Sequence, residues 1–138
     1  MRVRKDRKRE LIKAVPLFSH CSKKELDRLA VELDEIEMPS GRVLAREGEP
    51  GREFVVLVEG TAEVTKNGRR VNVLNAGDFL GEIALISGSP RTATVTTTSD
   101  SDLLILTARS FQRVTKEMPS VQASVLKALS DRLAADTL

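Results

Sequence analysis

Apolar residues recur at helical spacing from Arg7 to Glu35, where Leu11, Ile12, Val15, Leu17, Phe18, Leu26, Leu29, Ala30 and Leu33 share the pattern. Pro16 interrupts it, and Ser22 followed by Glu25 has the form of a capping box that starts a new helix. Two or three short helices are therefore expected before any strand. From "MPSGRV" onward the period becomes strand-like, with turn signals at "SG", "GEPG", "NG", "NAGD" and "SGSP". "FVVLVEG" reads as a buried run, "RRVNVL" alternates, and "TAEVTKNGRRVNVL" predicts a hairpin turning on Asn67-Gly68. After "DLLILT" the helical period returns. Thr107 is placed to cap "ARSFQRVTKEM", Pro119 to open a further helix, and Val121, Val125, Leu129 and Leu133 form one stripe along it.

Short strands at this spacing point to a mainly β fold with flanking helices, an antiparallel β-roll or jelly roll rather than βαβ units. The 138 residues are read as a single domain. Its expected parts are a basic tail over 1–10, helices over 11–38, the roll over 39–106 and C-terminal helices over 107–138. Trp and Tyr are absent, so the core is aliphatic with a few Phe, and a platform for stacking the bases of a nucleic-acid strand is missing. The formal charge of +2 conceals an asymmetry: residues 1–10 hold six Lys or Arg and two acids, and the rest is slightly acidic. Such a run is read as a solvated helix start. No apolar segment of signal-peptide length follows it, "FVVLV" is too short to span a membrane, and the single Cys fits a reducing compartment; a cytoplasmic protein is expected.

Several chemical constellations fail. His20 and Cys21 are adjacent, and neighbours on a helix diverge by about 100°, which separates a nucleophile from its base. With no second His, a His-rich metal centre cannot be built. Neither "GxxxxGK[ST]" nor a strand-bound "GxGxxG" occurs, and Glu47, Glu49 and Asp78 read as solvated loop acids. No catalytic residue, metal ligand or cofactor is assigned, and an enzyme is not expected.

"FLGEIALISGSPRTATV" is different. Gly81 to Pro90 connects two strands, and "EIAL" is long enough for about one helical turn. A turn of that kind leaves N–H groups unpaired, and a glycine before it lets an anion approach them. Arg91 adds a planar fork of donors that matches phosphate. Glu82 belongs beside such a site if its carboxylate faces a sugar hydroxyl. A 3′,5′-cyclic nucleotide carries a singly charged phosphate next to a 2′-hydroxyl and satisfies both demands. The alternative is a structural ion pair between Glu82 and Arg91.

"GEIALISGSPRTATV", residues 81–95, closely resembles the phosphate-binding cassette of cyclic nucleotide-binding domains, which with the preceding Phe79-Leu80 spans 79–95 here. "LIKAVPLFSHCSKKELDRLA" resembles the N-terminal helices of that family, "REGEPGREFVVLVEGTAEV" its early strands, and "FQRVTKEMPSVQASVLKALSDRL" its hinge and lid helices. The resemblance implies that Glu82 binds the ribose 2′-hydroxyl, Arg91 the cyclic phosphate, and that amides near Gly81, Ile83 and Ala84 complete the cradle. It also implies a phosphate or base contact for Thr92 and sugar or base lining by Val64, Val71 and Leu74. Phe111, Val114 and Met118 would pack the hinge toward the cassette. Val121 to Leu133 would form the lid, with Leu129, Arg132 or Leu133 as candidates to cover the base.

The implied function is that of a stand-alone sensor that binds cyclic AMP, with cyclic GMP the other candidate, and acts on an effector protein as a monomer or homodimer. No DNA-reading domain follows the lid, so direct DNA binding is not expected. The alternatives are a nucleotide-free roll used for protein contact and the ligand-binding part of a transcription regulator.

Overall fold

The structure is a computed structural model that describes residues 2–81 and 88–137, with side chains over 7–81 and 88–131. Three helical pieces come first: α1 (Arg2–Ala14), a 3-10 turn (Pro16–Phe18) and α2 (Lys23–Glu32). Among the described residues eight strands follow: β1 (Asp34–Met38), β2 (Val43–Ala45), β3 (Glu53–Glu59), β4 (Ala62–Lys66), β5 (Arg69–Leu74), β6 (Phe79–Leu80), β7 (Thr94–Thr97) and β8 (Ser101–Thr107). Two helices close the chain, α3 (Ala108–Glu117) and α4 (Pro119–Thr137).

The strands form two four-stranded antiparallel sheets, ordered β1-β8-β3-β6 and β2-β7-β4-β5. The jelly roll flanked by helices is as the periodicity predicts. "FVVL" on β3 and "LLIL" on β8 are continuous apolar runs because their sheet is covered on both faces. The period of two divides them. Phe54, Val56, Leu104 and Leu106 face the helices and join Ile12, Phe18, Leu29 and Phe111 in one buried cluster. Val55, Leu57, Leu103 and Ile105 face inward and meet Ala62, Leu74 and Val95 of the second sheet. Burying each such side chain contributes about 1.5–3 kcal/mol.

Local signals hold where they are strongest. Ser22 Oγ accepts from Glu25 N at 3.2 Å while Glu25 Oε1 accepts from Ser22 N at 2.9 Å, a complete capping box on α2. Thr107 Oγ1 accepts from Ser110 N at 3.1 Å and caps α3. The β4–β5 hairpin turns on Asn67 and Gly68 with φ of 53° and 79°, both positive as a type I′ turn requires.

Two boundaries differ from expectation. The helices end at Glu32, and 34–38, expected within the helical part, is strand β1, paired with β8 from Asp34↔Ile105 to Met38↔Ser101. "DEIEM" carries too little apolar surface to announce a strand; the open edge of β8 supplies its hydrogen bonds, and its charges suit an edge position. The basic run over 1–10, read as a solvated helix start, is helical from Arg2 in one piece with the next residues to Ala14, and it is docked rather than solvated. Arg7 pairs with Glu35 and Asp102, and Arg9 with Asp27 of α2. Acids on α2, β1 and β8 thus balance charges that look surplus along the chain.

Candidate functional site

β6 places Gly81, the glycine of the expected cassette. It pairs with β3 through Leu80↔Val55 and Phe79↔Val56, which carries Gly81 to the start of β3. Gly81 has φ +106°, a region that L side chains rarely adopt. A Cβ there would collide with the Glu53 carbonyl and lie 2.6 Å from Arg91 Nη1. Glycine is required on both counts, since the guanidinium of Arg91 occupies the space a side chain would take.

Arg91 is buried, with 9% of its surface exposed. Its Nη2 donates to the Glu53 carbonyl at 2.7 Å. Its backbone is clamped as well: Arg91 N donates to Glu49 O at 2.8 Å, and Gly48 N donates to Arg91 O at 2.9 Å. The loop between β2 and β3 therefore fixes where the guanidinium emerges. Beside it lies a cleft of about 460 Å³ bordered by Leu44, Ala45, Arg46, Glu49, Arg52 and Glu53, within the roughly 300–1,000 Å³ of small-ligand sites.

The acceptor Glu53 also connects to α3, the helix expected as a hinge. Glu53 pairs with Thr107, the cap of α3, and Ala108 N donates to Arg52 O at 2.9 Å. A second link is aromatic. Phe79, two residues before Gly81, has its ring 5.5 Å from Phe54, which stacks on Phe111 of α3 at 4.9 Å.

Gly81 and Arg91, ten residues apart in sequence, are brought into contact. Glu82, Ile83 and Ala84 lie outside the described residues. Thr92 is exposed in the bend before β7. Leu74 is buried in the roll-interior cluster and Val64 packs against it, whereas Val71 sits by a β5 irregularity with 57% of its surface exposed. None of these three borders the cleft beside Arg91. Phe111, Val114 and Met118 are buried in the cluster that Phe79 also touches. In the helix expected as a lid, Val121 and Val125 are buried in that cluster, where α4 meets the Pro16–Phe18 turn, and Leu129 is half-buried. The side chains of Arg132 and Leu133 lie outside the described ones.

Residue types did not reveal Gly48, Glu49 or Glu53 as partners of Arg91, because all three act through backbone atoms. The "GEPG" turn was the available signal, and it marked a loop without saying what the loop holds. His20 is exposed, and burial followed by Glu25 pushes the Cys21 thiol up to about 11, away from thiolate chemistry. Among the described residues no group of three or more His, Cys, Asp or Glu is placed to hold a metal ion.

Residues 35–118 match the family model described as the cyclic nucleotide-binding domain. The chain belongs to that family. It is 37% identical over 123 residues to a cyclic nucleotide-gated potassium channel of Rhizobium etli, covering 89% of this chain and 34% of the channel. A cAMP-dependent protein kinase regulatory subunit of Mycosarcoma maydis is 39% identical over 109 residues, 72% of this chain and 21% of the subunit. The chain thus spans about a third or less of these curated relatives. Among solved structures, the regulatory domain of Toxoplasma gondii PKA with cAMP superposes with a TM-score of 0.82 at 29% identity, covering 94% of this chain and 51% of that one. The regulatory subunit of a cAMP-independent protein kinase A from Trypanosoma brucei shares the fold, with a TM-score of 0.78 at 22% identity over 94% of this chain and 48% of its own. No described helix is long and apolar enough to cross a membrane.

Proposed function

We propose that this cyclic nucleotide-binding domain takes cyclic AMP in preference to cyclic GMP and passes its occupancy to an effector protein. The observation that carries the reading is the contact between Gly81 and Arg91. A buried guanidinium is held by a carbonyl dipole in a space that only glycine leaves open. The planar fork of donors on Arg91 matches a cyclic phosphate, and the Glu53 carbonyl fixes where that fork is presented. Glu82 takes the ribose 2′-hydroxyl, and amides near Gly81, Ile83 and Ala84 complete the cradle. Thr92, exposed before β7, offers its hydroxyl to phosphate or base. These residues bind and orient a ligand; no bond is made or broken.

Transmission follows from the neighbours of Arg91. A phosphate that draws Nη2 from the Glu53 carbonyl alters the start of β3, which pairs with the cap of α3. Movement of the cassette also reaches α3 through Phe79, Phe54 and Phe111. The ligand shifts α3 and α4 by as much as it prefers one of their positions.

Titration calorimetry of the folded chain with cyclic AMP and cyclic GMP tests this. Binding of cyclic AMP, tighter than cyclic GMP, is expected. Heat-silent titrations with both, on protein of native circular dichroism, would leave the second reading, a nucleotide-free roll. The regulatory subunit of a cAMP-independent kinase from Trypanosoma brucei shares this fold, so the fold by itself does not require cyclic AMP. Glu82→Ala should weaken cyclic AMP more than its 2′-deoxy analogue; equal losses would remove Glu82 from the sugar.

A further inference from the structure

Asp102 is a carboxylate in a row of apolar side chains. It shares a sheet face with Leu104 and Leu106 and is 6% exposed. Charged groups face it from three elements. Arg7 comes from α1, Glu35 and Glu37 from β1, and Glu59 from β3, with Glu37 and Glu59 its register partners on either side, while Lys8 of α1 acts on Glu35. Asp100, on the loop before β8, borders with Asp102, Arg7, Glu37 and Glu59 a second cleft of about 460 Å³, separate from the one beside Arg91. Arg7 bridges two of the acids, with Nη1 2.7 Å from Glu35 Oε2 and Nη2 3.5 Å from Asp102 Oδ2. Asp102 Oδ1 is buried and has no donor while both carboxyls are ionised. A proton held between Glu35 and Asp102 would provide one.

We propose that Glu35 and Asp102 hold one exchangeable proton for which Arg7 competes, so that acidification loosens the N-terminal half of α1 from the sheet. A buried and a half-buried carboxylate side by side cannot both ionise without cost, and a single guanidinium bridges them. Burial first, and Glu35 second, push the Asp102 carboxyl up to about 6, while Arg7 pulls it down. Burial also lifts Glu35, but hydrogen bonds from Asp102 and Arg7 outweigh it and hold that carboxyl below its usual range. The two therefore titrate as a pair. Because Arg7 lowers proton affinity at both acids, linkage requires that the proton lower the affinity of Arg7 for the pair. Each pKa unit that Arg7 removes corresponds to about tenfold weaker anchoring once the proton is bound. The C-terminal half of α1 stays in place, because Ile12 is fully buried in the helix-side cluster. The strap loosens locally, without unfolding the domain.

Hydrogen exchange of the whole chain at pH 5 and pH 8, corrected for intrinsic rates, provides the test. Protection around Arg7 and Lys8 should fall at pH 5 relative to α2, by about tenfold per unit of coupling. In a Glu35→Gln/Asp102→Asn chain, protection there should be low and independent of pH. Equal α1 protection at both pH values, or a pH effect that survives in the double variant, would overturn the proposal. Should the double variant fail to fold, carboxyl carbon NMR of Arg7→Ala decides instead. The Asp102 midpoint must rise relative to the unmodified chain, and an unchanged midpoint refutes competition.

Discussion

Arg91 and Arg7 present the same guanidinium in opposite settings. Arg91 is 9% exposed and donates to a main-chain carbonyl, whereas the Arg7 side chain keeps 54% of its surface and faces two carboxylates. A carbonyl cannot titrate, so the contact between Arg91 and the Glu53 carbonyl is constant across the physiological pH range. Carboxylates titrate and neutralise, so Arg7 is bound to the proton balance of its partners. What a guanidinium does here is decided by the acceptor it meets, and the acceptor is chosen by the fold.

The comparison breaks most severely at Arg91. Arg91→Ala should weaken cyclic nucleotide binding by about 2–5 kcal/mol, the range for one partner lost from a buried charged contact. Calorimetry reads the loss, while urea unfolding should show a smaller change. Gly81→Ala comes next. Its φ of +106° and the collision with Glu53 and Arg91 should cost about 1–3 kcal/mol of stability, together with reduced affinity, because the guanidinium must move. Wild-type urea midpoints and affinity would show that the cassette relaxes around a methyl.

On the Arg7 side the effect depends on pH. Asp102 is held above its unfolded value, so the folded state binds the proton more tightly and stability is lost as pH rises from about 4 through about 6. Glu35 is held below its ordinary value and contributes the reverse: stability present at neutral pH and lost as acid protonates it. Asp102→Asn removes the first contribution. Its melting temperature relative to the unmodified chain should therefore be higher at pH 8 than at pH 4, and a flat difference would contradict the burial argument. The smallest change sits between the two regions, at the cap of α3. Thr107→Ala should cost about 1 kcal/mol, read by thermal unfolding.

The roll itself could be read because period and turn chemistry agree. "NG" between alternating strands, Ser22 with Glu25, and Thr107 before "ARS" each specify local geometry through their own side chains. β1 could not, since Asp34 to Met38 form a strand only because β8 offers an edge. The docking of the basic N-terminal segment was hidden for a related reason: Arg7 and its acids are separated by 28 and 95 residues.

At the candidate site the split is the same. Residue type and spacing alone led to the expectation that Gly81 and Arg91 serve one anion-directed segment with Glu82 beside it, because glycine freedom and a planar cation are properties of the residues themselves. Only the tertiary structure decided that Gly81 makes room for Arg91 and that the Glu53 carbonyl holds it. It alone decided that Asp102 meets Arg7 and Glu35 on a buried sheet face. Those contacts run through backbone atoms and across strands distant in sequence, where a residue's identity says nothing until the chain has folded.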